Sequence, residues 1–154
     1  MLHGIKQNDP RLLKVIQKYG CLFLCFAQAS PMIFSGEEGI KALNNLWIKA
    51  EDEGAINGDL NKDGDYDDLM EAEVKDHNKL ARIFALSVRY DEQHHDPSEK
   101  IPDKVAFIFG CYFWKGTHFV NLNRNLSVAN DPLGESNTVK NGYLKSTRWY
   151  YYAD

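Results

Sequence analysis

Cys21 follows directly on Gly20 in the run Tyr19-Gly20-Cys21-Leu22-Phe23-Leu24-Cys25, where an apolar helix should begin. A thiol in that place faces backbone N–H groups that lack an intrahelical acceptor, and it faces the positive end of the helix dipole. Both favour the nucleophilic thiolate. Cys25, one turn further on, reads as a small buried hydrophobe. A cysteine nucleophile needs a base. His3 falls in a terminal stretch expected to fray, His77 in a polar helix, and His94 with His95 in a charged loop. That leaves His118, at the start of the apolar run Thr117-His118-Phe119-Val120. If Arg124 and Asn125 form a two-residue hairpin loop, Asn123 faces Leu126, Val120 faces Ala129 and His118 faces Asp131. A three-residue loop over 123–125 puts Asn130 opposite His118 instead. A carboxylate or an amide there would fix the ring's tautomer and orientation, the role of the third group in a triad. Gln17, four residues before the cysteine, carries an amide able to donate to an oxyanion, or is an ordinary surface glutamine.

A second pattern is acidic. Half of the chain's 22 acidic residues lie between Glu51 and Asp76, an insert at about 51–76 that contains only two lysines, Lys62 and Lys75. Within it, Asp59, Asn61, Asp63, Asp65 and Asp67, with Gly64 at the sixth position, follow the first nine places of an EF-hand-type calcium loop. Met70 occupies the twelfth place, where a bidentate carboxylate is expected, so Glu71 must substitute for it from one residue on. The competing reading is a solvated acidic turn built on Asp63-Gly64, which needs no ion. Calcium is therefore a candidate ligand that would order the insert, while the chemistry itself requires no cofactor.

The elements that must position these residues follow from periodicity. Arg11–Lys18, Cys21–Ala29, Glu37–Glu53 and Glu71–Phe84 read as helices, with Ala42, Leu46 and Ala50 spacing one apolar face and Val74, Leu80 and Phe84 another. After Phe84 the period becomes two. Leu86–Tyr90, Val105–Trp114, His118–Asn123, Leu126–Asn130 and Arg148–Tyr152 read as strands of an antiparallel meander. Helices followed by strands predict an α+β fold, read as one domain over 1–154. The exposed aromatics Trp114 and Trp149 are candidates for a substrate groove or, more simply, for sheet core.

Composition narrows the setting. The 154 residues carry a net charge of −4, with no basic field to draw a phosphate backbone, so nucleic acid is not an expected partner. The apolar stretch 21–34 is interrupted by Gln28, Ser30 and Pro31, and so is no membrane span. No signal peptide is read in the first ten residues, and three cysteines without framework spacing suit reduced thiols, so the cytoplasm is the expected compartment.

Gln17 with Gly20-Cys21, then Gly116-Thr117-His118-Phe119-Val120, then Asn130-Asp131-Pro132-Leu133-Gly134, together resemble the papain-like cysteine peptidases of the bacteriocin-leader (double-glycine) type and their bacterial and phage relatives. The resemblance covers about the first thirty residues and 110–135. It implies a papain-like fold, N-terminal helices with the cysteine at a helix start packed on a C-terminal antiparallel sheet. It also implies Cys21 as nucleophile, His118 as base, Asp131 as orienting acid and Gln17 as oxyanion donor, acting on a peptide or amide substrate. The alternative expectation is a catalytically silent member of that fold, a binding or accessory module ordered by calcium.

Overall fold

The computed structural model describes residues 1–56 and 73–153, and the chain divides into two compact units, Met1–Leu86 and Ser87–Asp154. Asp59, Asn61, Asp63, Asp65, Asp67 and Glu71 of the expected calcium loop lie outside the described residues.

The first unit is helical. Strand β1 (Leu2–His3) pairs in parallel with β2 (Phe34–Ser35), Leu2 opposite Phe34 and His3 opposite Ser35, so His3 lies in a strand and does not fray. Helix α1 (Lys14–Tyr19) starts three residues later than its apolar pattern suggests. The reason is local. The Asp9 carboxylate accepts from the Arg11 backbone N–H and guanidinium, and the Leu12 N–H bonds the Asp9 carbonyl, a turn that competes with the helix. Helix α2 (Cys21–Ala29) ends at Ser30, the residue before Pro31, where the proline ring disfavours helical backbone. Helix α3 (Gly36–Asp52) buries Ile40, Leu43, Trp47 and Ala50. Ala42 and Leu46 are only half-buried, so the core stripe runs beside the one expected and shares with it only Ala50. Helix α4 (His77–Ile83) begins at its cap, where the Asp76 side chain accepts from the Lys79 N–H at 2.9 Å. It therefore starts later than the 71–84 pattern, and Val74 instead makes a β-bridge with Ile56. Phe23 of α2 sits edge-on to both Trp47 and Phe84 at 5.0 Å, which joins α2, α3 and the end of α4.

The second unit is a five-stranded antiparallel sheet in the order β3-β7-β4-β5-β6. Its strands are β3 (Val88–Tyr90), β4 (Val105–Phe113), β5 (Thr117–Leu122), β6 (Val128–Asn130) and β7 (Tyr143–Tyr152), with a short helix α5 (Asn137–Asn141) before the last. Only β4 to β6 form a meander. The last strand returns to lie between β3 and β4, a topology that local patterning does not encode. It is also five residues longer at its start than the aromatic run 148–152 indicates, because 143–147 mixes Lys145 and Ser146 with Leu144. Val105, Ile108, Val120, Leu122 and Trp149 form a buried cluster, and Ile101, Leu126 and Val139 pack against it. The class is thus α+β. No helix among the described residues is long and apolar enough to cross a membrane.

Candidate functional site

His118 is the second residue of β5, opposite Tyr112 of β4. A tight turn delivers it there. Lys115 takes a left-handed backbone (φ 58°) and the Trp114 N–H bonds the Gly116 carbonyl at 2.9 Å, which fixes Phe113 opposite Thr117. The imidazole is buried, and its Nε2 lies 2.7 Å from Oδ1 of Asp131, also buried. Asp131 follows β6 and opens the turn Asp131-Pro132-Leu133-Gly134, closed by a 2.7 Å bond from the Gly134 N–H to the Asp131 carbonyl, with Gly134 at φ 85°. The same carboxylate accepts from the backbone N–H of Leu133 on Oδ1 and of Ser136 on Oδ2, each at 3.0 Å.

These contacts set the charge state. Burial by itself would raise the Asp131 carboxyl, but hydrogen bonds from His118, Ser136 and Leu133 hold it well below the usual carboxylate range. An ionised carboxylate only accepts, so the proton of a neutral His118 sits on Nε2, and Nδ1 carries the lone pair.

The pair is joined by a route that differs from the expected register. Asn121 pairs with Asn130 and Leu122 with Val128, with an irregularity between them, so neither the two-residue loop 124–125 nor the three-residue loop 123–125 describes the hairpin. Its turn covers 124–126. The Asn123 N–H bonds the Ser127 carbonyl, and Leu126 takes φ 72°. Asp131 meets His118 from the turn beyond β6, not as a cross-strand neighbour. The amide of Asn130 donates to Asn121 Oδ1 at 3.2 Å.

Cys21 is the first residue of α2, half-buried, with Gly20 as N-cap and no acidic side chain in the first turn. Gly20 is also the residue that ends α1, its N–H bonding the Ile16 carbonyl at 2.8 Å while its own carbonyl accepts from Leu24. A Cβ on Gly20 would stand 2.6 Å from the Ile16 carbonyl oxygen and 2.8 Å from its Cα, so the junction admits only glycine. Cys25 and Cys111 are buried, and none of the three cysteines forms a disulfide. Gln17, half-buried, donates through Nε2 to the Leu12 carbonyl at 2.7 Å, and its own carbonyl accepts from Gln7.

The remaining histidines have other partners. His77 packs edge-on to Phe26 at 6.0 Å. His95 lies in a loop, as expected, yet is buried with both ring nitrogens on carboxylates, Nε2 to Asp91 at 2.6 Å and Nδ1 to Glu99 at 3.1 Å. Trp149 lies in the core beneath His95, while Trp114 is half-buried with the Lys115 ammonium 4.7 Å over its ring. The sequence signal for this cluster was the four-residue spacing Asp91, His95, Glu99. Among the described residues no group of three or more His, Cys, Asp or Glu side chains is arranged to hold a metal.

Comparison with protein-family models, with curated proteins and with solved structures finds no match to the chain.

Two outcomes follow from this geometry. Gly20→Ala should destabilise by about 1–3 kcal/mol in urea unfolding, as overpacking against backbone does. Asp131→Asn should lose about 1.5–3 kcal/mol near neutral pH, the worth of a buried bond to a charged group. Because the native carboxyl is held low, that contribution is present above about pH 4 and lost as pH falls below it. The gap between parent and variant should therefore narrow in acid, which urea titrations at several pH values measure.

Proposed function

We propose that the chain is a papain-like cysteine hydrolase that cleaves a peptide or amide bond, with Cys21 as nucleophile, His118 as base and Asp131 as the group that orients it. The observation that carries this reading is the buried 2.7 Å contact between His118 Nε2 and an Asp131 carboxylate itself anchored by two backbone N–H groups. A histidine held through one nitrogen by a fixed anion has a defined tautomer and a stabilised imidazolium, as a general base requires. Cys21 stands at the head of α2, with no acid in that turn.

In the reaction, His118 Nδ1 takes the Cys21 proton and the sulfur attacks the substrate carbonyl carbon, whose π pair moves to oxygen. Collapse of that adduct breaks the C–N bond as Nδ1 returns its proton to the departing amine. Water, deprotonated by Nδ1, then attacks the thioester, releasing the acid and restoring the thiolate. Three thiols outside any disulfide suit action in a reducing compartment such as the cytoplasm.

One observation favours the second reading, a catalytically silent binding module. The Gln17 amide that would serve the oxyanion is bonded to the Leu12 carbonyl. Iodoacetamide separates the two. At about pH 6.5, where an ordinary thiol of pKa ~8.5 is nearly all protonated, Cys21 should be alkylated at least ~10-fold faster in the parent than in His118→Ala. Labelling of Cys21 that is slow at this pH and indifferent to His118 would leave the silent module. We also propose that Asp59, Asn61, Asp63, Asp65, Asp67 and Glu71 bind calcium. Calcium should then raise the melting temperature and a chelator lower it, and an unchanged temperature would refute the site.

A further inference from the structure

The strongest electrostatic cluster of the second unit outside the His118–Asp131 pair is at His95. This residue is bridged to β7 through its backbone, its N–H bonding the Thr147 carbonyl at 2.9 Å and its carbonyl accepting from the Thr147 N–H at 2.8 Å. The imidazole lies flat on the Trp149 indole, with centroids 3.5 Å apart and planes within 5°. The indole N–H donates to the Thr147 hydroxyl at 2.9 Å, which fixes the platform. Asp91 and Glu99 approach the two ring nitrogens from opposite ends of one loop. A neutral imidazole has one N–H and one lone pair, and a lone pair turned toward a carboxylate is repelled. Only the imidazolium satisfies both contacts.

The groups around the ring support the charged form. Asp91 is half-buried and Glu99 half-exposed, and the second Glu99 oxygen accepts from the Asp96 N–H at 2.6 Å. From β7, the Tyr151 hydroxyl is raised by burial and by the Asp91 charge, and Arg89 of β3 lies over the Tyr151 ring at 5.0 Å. His94, the sequence neighbour, is held toward its neutral form by burial and by the charges of Arg148 and Lys145. Burial would likewise lower His95, but the hydrogen bonds to Asp91 and Glu99 outweigh it and raise the ring above its ordinary value.

We propose that His95 is a pH-operated latch: as imidazolium it clamps the 91–100 segment onto β7, and loss of its proton frees the Glu99 arm and opens the cleft beside it. That cleft, of about 350 Å³, is lined by Glu99, Lys100, Ile101, Arg124, Asn125 and Leu126. Beyond it the segment is secured independently of pH. The Arg124 guanidinium donates to the carbonyls of Ile101, Pro102 and Val105 at 3.4, 2.9 and 2.9 Å. Opening is therefore confined to 91–100, with 101–105 as the fixed end. The sign follows from the raised ring: the latch is closed below about pH 6.5 and opens as pH rises through the native value of His95.

The test is an NMR titration of the His95 ring in the full chain, run beside amide hydrogen exchange corrected for its intrinsic pH dependence. His95 should titrate above pH ~6.5, and protection of its N–H should fall about fivefold across the same interval, the size of one half-exposed ion pair. Glu99→Gln, a change at a half-exposed side chain, should move both the titration and the loss of protection to lower pH. A ring that titrates at or below the ordinary histidine value, protection that stays level through the titration, or a Glu99→Gln midpoint equal to the parent's would each overturn the latch.

Discussion

The contact between His118 and Asp131 constrains the second unit more than any other, because a carboxylate that deep in a protein is costly unless its oxygens are met by donors. Three donors meet it. Two are backbone N–H groups that exist only if residues 131–136 fold as the observed turn, and the third is a ring nitrogen that arrives only if β5 starts where the 113–117 turn puts it. The Asp-Pro-x-Gly turn, the left-handed Gly134, the Ser136 cap of α5 and the pairing of β4 with β5 thus share one requirement. A hydrogen-bond network satisfied in full holds a side chain in one orientation, and a base is useful only when so held.

The two buried histidines of this unit show how the same residue type is given different work. His95 has a carboxylate at each nitrogen and an aromatic platform beneath, which makes it a cation in a clamp. His118 has its carboxylate at Nε2, which fixes the tautomer and leaves the lone pair on Nδ1. Sequence alone ranks them by surroundings, an apolar strand against a charged loop, and that ranking selects His118. The loop nevertheless buries His95, since four-residue spacing of Asp91, His95 and Glu99 allows the acids to close around the ring.

What was legible in the residues is the chemistry of short segments. Gly20-Cys21 at a helix start, the Gly-x-His strand and the Asp-Pro-x-Gly turn are each local, and each takes the local conformation expected of it. The pairing of His118 with Asp131 was expected for a reason that the structure replaces: hairpin register depends on loop length, and the irregularity after Asn121 shifts it, yet the turn beyond β6 restores the contact. The insertion of β7 between β3 and β4 depends on contacts distant in sequence, and no local period encodes it. In α3 the expected stripe was displaced because the bulk of Trp47, not the spacing of small alanines, decides which face is buried.

The proposed hydrolase requires Cys21 and His118 to act on one proton, and groups that do so titrate as a pair. The most direct measurement is the NMR titration of the His118 ring in the parent and in Cys21→Ala. Under the proposed mechanism His118 should lose its proton at lower pH in the variant, which lacks the sulfur that would pair with the imidazolium. Identical titrations of His118 in the two proteins would contradict it.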